Sequence, residues 1–281
     1  MTNPAFSLNI VSDLRDMWQY AFMQHAFEAG TLVAVVAGVI GYFVVLRRSS
    51  FAAHGLSHAG FTGAAGAVLL GINPIFGLFV FTMGGALLMA ALGKRAVNRD
   101  VQIGVVLSFM LGLGLLFVSL YRGGYSSEAY SILFGQILGI NAVDVWVTLG
   151  TSALVLVVFA ALYRPLLFTS LDEEVAEARG MPVFGMGLAF MLLVAAATSI
   201  AVQVVGVLLI FSLMVAPAAV AQRIARRPEQ GIGLAVAIAL LSTWLGLFLA
   251  YYLPYPVSFF ITTITFIIYI AARLRFGRPY A

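Results

Sequence analysis

His54 and His58 stand four residues apart in RRSSFAAHGLSHAGFTGAAGA, residues 47–67. On a helix that spacing puts both imidazoles on one face, one turn apart. It is the histidine spacing of the zinc-protease pattern H-E-x-x-H, but Gly55 stands where that pattern needs its general-base glutamate, so hydrolysis is not expected here. Neutral imidazole suits zinc and other late transition metals, and a pair on one helix needs one or two further donors from elsewhere. The competing reading is a pair of histidines that only hydrogen-bond within a polar helix end. The chain contains no cysteine, so any metal must be held by imidazole, oxygen or backbone.

The elements that must position this pair are membrane spans. The 281 residues are 62% hydrophobic and 9% charged, with a mean hydropathy of +1.05, against about 25% charged in soluble domains. Stretches of about 17–25 apolar residues cross a bilayer as helices. Nine are read at 24–46, 56–72, 75–93, 101–121, 143–163, 184–202, 203–222, 231–252 and 256–272. The second is short, and the pair meeting at Gln203 is almost unbroken. The fold class is therefore an all-α polytopic membrane protein with eight to nine transmembrane helices, one domain over 1–281. The amino terminus lacks the charged, apolar and small-residue pattern of a signal peptide, and 1–20 is read as a retained extracytoplasmic segment.

With Arg47 and Arg48 in the cytoplasm, alternation of the spans puts thirteen of the fifteen Lys and Arg residues on that side; only Arg15 and Arg122 fall outside. The positive-inside rule expects such a bias, so the net charge of +4 reports topology rather than nucleic acid. The spans hold almost no Asp, Glu, Lys or Arg, whereas ion-driven carriers place such groups at membrane depth. Ser108, Thr198, Ser199, Gln203, Ser212, Ser242 and Thr243 form a weak polar trail, read first as packing or interhelical hydrogen bonds rather than a pathway.

Two loops interrupt the spans. Residues 122–142 are too polar at their start to cross and are placed outside as a partly helical segment, with Glu128 and Asp144 as solvated acids able to collect cations. Residues 162–183 carry Ser170 and Glu173 at capping-box spacing, an acidic first turn of Asp172, Glu173 and Glu174, and Gly180 at a helix end. The result is a short cytoplasmic helix over 170–180 with Leu171, Val175 and Ala178 on one side. It serves either as a capped connector or as a docking knob for a soluble partner. Pro217 interrupts a span and frees a backbone carbonyl, giving a hinge or gate, or a fixed bend. No phosphate loop occurs, so ATP, if used, is bound by another polypeptide.

Five stretches in order, FVVLRRSSFAAHGLSHAGFTGAA, DVQIGVVLSFMLGLGL, LFGQIL, LDEEVAEARGMPV and VVGVLLIFSLMVAPAAVAQ, resemble the permease subunit of bacterial ABC transporters that import zinc, manganese or iron. The resemblance implies a homodimer in the bacterial inner membrane, a cytoplasmic ATPase on each permease, and an extracytoplasmic metal-binding protein that delivers the ion. It implies no enzymatic activity and no permanently bound cofactor, the metal ion being cargo. It also implies that the segment with Leu171, Asp172, Glu173, Glu174, Val175, Glu177, Ala178 and Gly180 is the helix that couples to the ATPase. Members commonly carry aspartate where this chain has His54, in a pattern like D-x-x-S-H-A that Ser57, His58 and Ala59 match. Imidazole in place of a hard carboxylate favours zinc over manganese. The rivals are a permease for metal chelates, a membrane-embedded enzyme using the histidine pair, and a carrier independent of ATP.

Overall fold

The computed structural model describes residues 15–92, 99–120 and 135–276. Of the amino-terminal segment, 1–14 lies outside the described residues, as do 122–134 of the external loop with Glu128.

The described residues form ten α-helices: α1 (Ala21–Leu46), α2 (Ser50–Leu69), α3 (Pro74–Leu92), α4 (Arg99–Leu120), α5 (Ala142–Leu171), α6 (Glu173–Ala178), α7 (Val183–Val205), α8 (Val207–Ile224), α9 (Pro228–Tyr252) and α10 (Val257–Phe276), with a 3₁₀ turn at Ile137–Gly139. Eight of them are long and apolar enough to cross a membrane. The ninth long helix, α2, falls short in hydropathy because of its histidines, serines, threonine and glycines, yet most of its residues are buried. A helix enclosed by other helices need not be greasy enough to face lipid. The protein is multi-pass, and α1 and α7 form its centre while α4, α5 and α10 are largely exposed.

Four boundaries differ from the sequence expectation. The helix read as 56–72 begins at Ser50, which moves His54 and His58 from a helix mouth into its second and third turns. The span read as 143–163 continues to Leu171 with Pro165 inside it; its 30 residues extend about 45 Å. The break read at Gln203 lies at Gly206, whose φ of +85° and ψ of 164° are open only to glycine. Finally, Ser170 does not cap the short helix. It belongs to α5 and its hydroxyl donates to the Leu166 carbonyl, while Asp172 caps α6 by accepting from the Val175 amide at 2.9 Å.

The turn between α1 and α2 is tight. The amides of Arg48 and Ser49 donate back to the carbonyls of Val45 and Val44, with Arg48 in the left-handed region at φ +53°. That turn feeds the chain directly into the histidine helix. Deeper in the bundle, α2 and α3 approach so closely that a Cβ on Gly63 or on Gly77 would sit 2.1 Å from the other's carbonyl oxygen. Hydroxyls stitch neighbouring helices: Thr62 donates to Met110 O at 2.6 Å, Ser212 pairs with Thr265 at 3.0 Å, and Thr82 pairs with Ser199. For Ser199 and Ser212 the packing expectation holds. It holds for Gln203 too, which donates to Asp144 on a neighbouring helix at 3.3 Å, while the hydroxyls of Thr198, Ser242 and Thr243 are buried with no hydrogen-bond partner.

Candidate metal-transit site

The imidazoles of His54 and His58 meet edge to face, with centroids 4.7 Å apart and planes at 88°. The helical i, i+4 spacing brings them together. Both are partly buried, and Nδ1 of each is buried without a hydrogen-bond partner. The reading in which the two rings only hydrogen-bond within a helix end therefore has no bond to point to. Around them the backbone is held fast: Ser57 Oγ donates to the His54 carbonyl at 2.7 Å, and Thr62 Oγ1 donates to that of His58 at 3.1 Å.

The far side of the pair is α8. The Phe211 ring lies 4.9 Å from that of His54, centroid to centroid. Pro217 sits buried on the same helix, where it leaves the Leu213 carbonyl without its i+4 amide donor. Thus His54 touches the proline-bearing helix, although nothing in the sequence spacing connects them.

No group of three or more His, Asp or Glu side chains gathers anywhere among the described residues. Two imidazoles alone do not complete the coordination sphere of a transition-metal ion. Metal-binding histidines usually donate their second ring nitrogen to an acceptor that orients the ring, and losing such a partner weakens binding about 10–100-fold. This pair lacks that support, which suits an ion that must leave as readily as it arrives.

The second candidate region lies at the arginine-rich end. Helix α6 is closed by the amides of Gly180 and Met181 donating to Glu177 and Ala176 carbonyls, with Gly180 at φ +76°. Ala176 is buried against the bundle, while Leu171 and Val175 are exposed. The acids Asp172, Glu173, Glu174 and Glu177, with Ala178, are exposed too. A cavity of about 280 Å³ beside α6 is lined by Glu173, Glu177, Arg47, Phe184 and Met89 among others. Arg47 was not expected in this role. Its Nη1 donates to Thr169 at 3.2 Å and Ser170 at 3.0 Å, and its guanidinium lies over the Phe190 ring at 5.1 Å.

Compared with known proteins, residues 19–275 match the profile of the ABC 3 transport family. The chain belongs to the ABC 3 transport family. Within it, the chain is 32% identical over 239 residues to the manganese import system permease protein ScaB of Streptococcus gordonii, covering 85% of each protein. It is equally similar, at 32% over 239 residues and 85% of each chain, to the manganese transport system membrane protein MntC of Listeria innocua. Among solved structures, PsaBC from Streptococcus pneumoniae in complex with Fab superposes with a TM-score of 0.85 at 29% identity, over 95% of this chain and 96% of that one. An inward-facing metal-chelate type ABC transporter matches at a TM-score of 0.71 and 15% identity, over 92% and 90% of the chains, which shows a shared fold only. This member of the ABC 3 family is a metal-ion ABC transporter permease, a transport protein rather than an enzyme.

Proposed function

We propose that this chain moves a divalent transition-metal ion inward across the bacterial plasma membrane, with the arginine-rich end in the cytoplasm. The observation that carries the reading is the pair of imidazoles, buried at Nδ1 and without hydrogen-bond partners, on a helix inside the bundle. A second copy of the chain, related by a twofold axis, supplies the ligands that one copy lacks. ATP is hydrolysed by cytoplasmic ATPase subunits that grip α6 through Leu171, Val175, Glu173 and Glu177, with Asp172, Glu174, Ala178 and Gly180 shaping the knob. An extracytoplasmic metal-binding protein delivers the ion to the opposite face. Pro217 lets α8 flex against His54 as the dimer switches between openings.

The relatives bear the name of manganese permeases, which makes manganese the first cargo. Zinc is the second reading, favoured by His54 where the family commonly has aspartate, since imidazole binds zinc better than manganese. The test is uptake of each ion by cells expressing the chain with an ATPase partner, intact or unable to hydrolyse ATP. Uptake that requires hydrolysis supports the reading. Uptake that survives the dead ATPase and collapses with the ion gradient overturns it.

A further inference from the structure

At the end of the bundle opposite the arginines, a cavity of about 270 Å³ is walled by Asn73, Gln136, Asp144, Val202, Gln203 and Val204, and by Ala64 and Val68 of the histidine helix. Ala64 stands six residues after His58, about 9 Å along the helix axis. The volume holds an ion together with several of its waters, each of which takes about 30 Å³.

Every polar element of this wall offers oxygen. Asp144 accepts from Gln203 Nε2 at 3.3 Å through one carboxylate oxygen and from the Asn141 amide at 3.3 Å through the other. Both bonds are long, and each carboxylate oxygen keeps a further lone pair. Helix α7 ends here. The Gly206 amide takes the Val202 carbonyl, and no main-chain donor among the described residues reaches the carbonyls of Gln203 or Val204, both of which line the cavity. A helix C-terminus is the negative pole of its dipole, so these carbonyls add to the pull of Asp144 on a cation.

Further along the same two helices, other polar side chains are buried. Asp144, Thr148 and Ser152 stand at i, i+4 and i+8 on α5, on the face that meets α7 through the Gln203 bond. Thr148 and Ser152 are 0% and 1% exposed, and neither hydroxyl has a hydrogen-bond partner. Thr198 on α7 is in the same condition. Buried hydroxyls without protein partners call for a polar guest.

We propose that this mouth is a receiving site for a hydrated divalent cation, bound by the Asp144 carboxylate, the amide oxygens of Gln136 and Gln203 and the carbonyls of Gln203 and Val204. The ligands are hard oxygens, so the mouth takes manganese and does not select zinc; selection falls to the imidazoles of His54 and His58. The inference rests on the metal-permease reading, to which it adds a first station.

The test is Mn²⁺ binding to the purified full-length chain in lipid nanodiscs, read by the Mn²⁺ paramagnetic resonance signal, with thermal stability measured alongside. Asp144→Asn keeps an oxygen able to cap α5 but removes the charge, and is expected to weaken binding about tenfold or more. Gln203→Glu adds a carboxylate and is expected to tighten it. Each binding comparison is made with His54→Ala and His58→Ala also present, so that the Mn²⁺ signal reports the mouth and not the imidazole pair. In cells, Asp144→Asn raises the KM for manganese uptake and leaves the maximal rate near that of the wild type. Mn²⁺ binding unchanged in both Asp144→Asn and Gln203→Glu, whatever happens to thermal stability, would overturn the proposal. Failure of the metal-permease reading is separate: the wild type would then show no ATP-dependent uptake, while the binding comparison would still decide whether the mouth holds a cation.

Discussion

Arg47 reaches from the end of α1 to Ser170 at the end of α5, donating at 3.0 Å, and so joins the turn that starts the histidine helix to the helix that leads into α6. Hydrogen bonds from a charged donor contribute about 1.5–3 kcal/mol, enough to make the two ends move together. Arg47→Ala is therefore expected to leave metal binding intact while reducing metal-stimulated ATP hydrolysis in the assembled transporter. Unchanged stimulation would show that the two ends are coupled by another route.

The exposed face of α6 gives a second expectation. Leu171→Asp, or the double reversal Glu173→Arg with Glu177→Arg, removes the apolar or acidic contact without touching the buried Ala176. Co-purification of the ATPase subunit should fall sharply while the permease keeps its thermal stability. Gly180→Ala acts differently, because its φ of +76° strains any side chain, at about 1–3 kcal/mol. It should loosen the helix end and weaken the complex partially.

The break at Gly206 carries a third. Its φ of +85° and ψ of 164° exclude other residues, and Gly135 packs against the same backbone so closely that a Cβ there would lie 2.3 Å from the Val205 carbonyl carbon. Gly206→Ala and Gly135→Ala should each lower the midpoint of thermal unfolding measured in detergent, whereas Gly112→Ala, where a Cβ meets nothing within 4 Å, should leave it unchanged.

The chemistry at position 54 gives a fourth. His54→Asp exchanges imidazole for a hard carboxylate. The ratio of manganese to zinc uptake should rise about tenfold, the equivalent of about 1.4 kcal/mol. An unchanged ratio would mean that selectivity is set elsewhere.

These expectations draw unequally on the sequence. Apolar length located the long helices, because lipid imposes that constraint on composition. The His54 and His58 pairing followed from spacing, since a helix fixes what i and i+4 can touch. What spacing could not supply is contact between elements. Phe211 on His54 and Arg47 on Ser170 join residues more than one hundred positions apart. Local chemistry also misled where two answers were available: Ser170 and Asp172 can each cap a helix, and α5 simply ran past Pro165 until Asp172 was the one left free. The helix break at Gly206 had no flanking Pro or polar run to mark it, only a glycine among twenty-eight. Asp144 looked like a solvated loop acid because its partner, Gln203, sits fifty-nine residues away.

The most direct test of the account is uptake of manganese and zinc by cells expressing the chain with its ATPase and metal-binding partners, comparing wild type, His54→Ala and His58→Ala at equal membrane levels. The account predicts that each substitution lowers ATP-dependent uptake of the transported ion by about tenfold or more, as expected when a ligand is removed from a site with few to spare. Wild-type uptake in both variants would contradict it, and would reduce the imidazole pair to packing against Phe211.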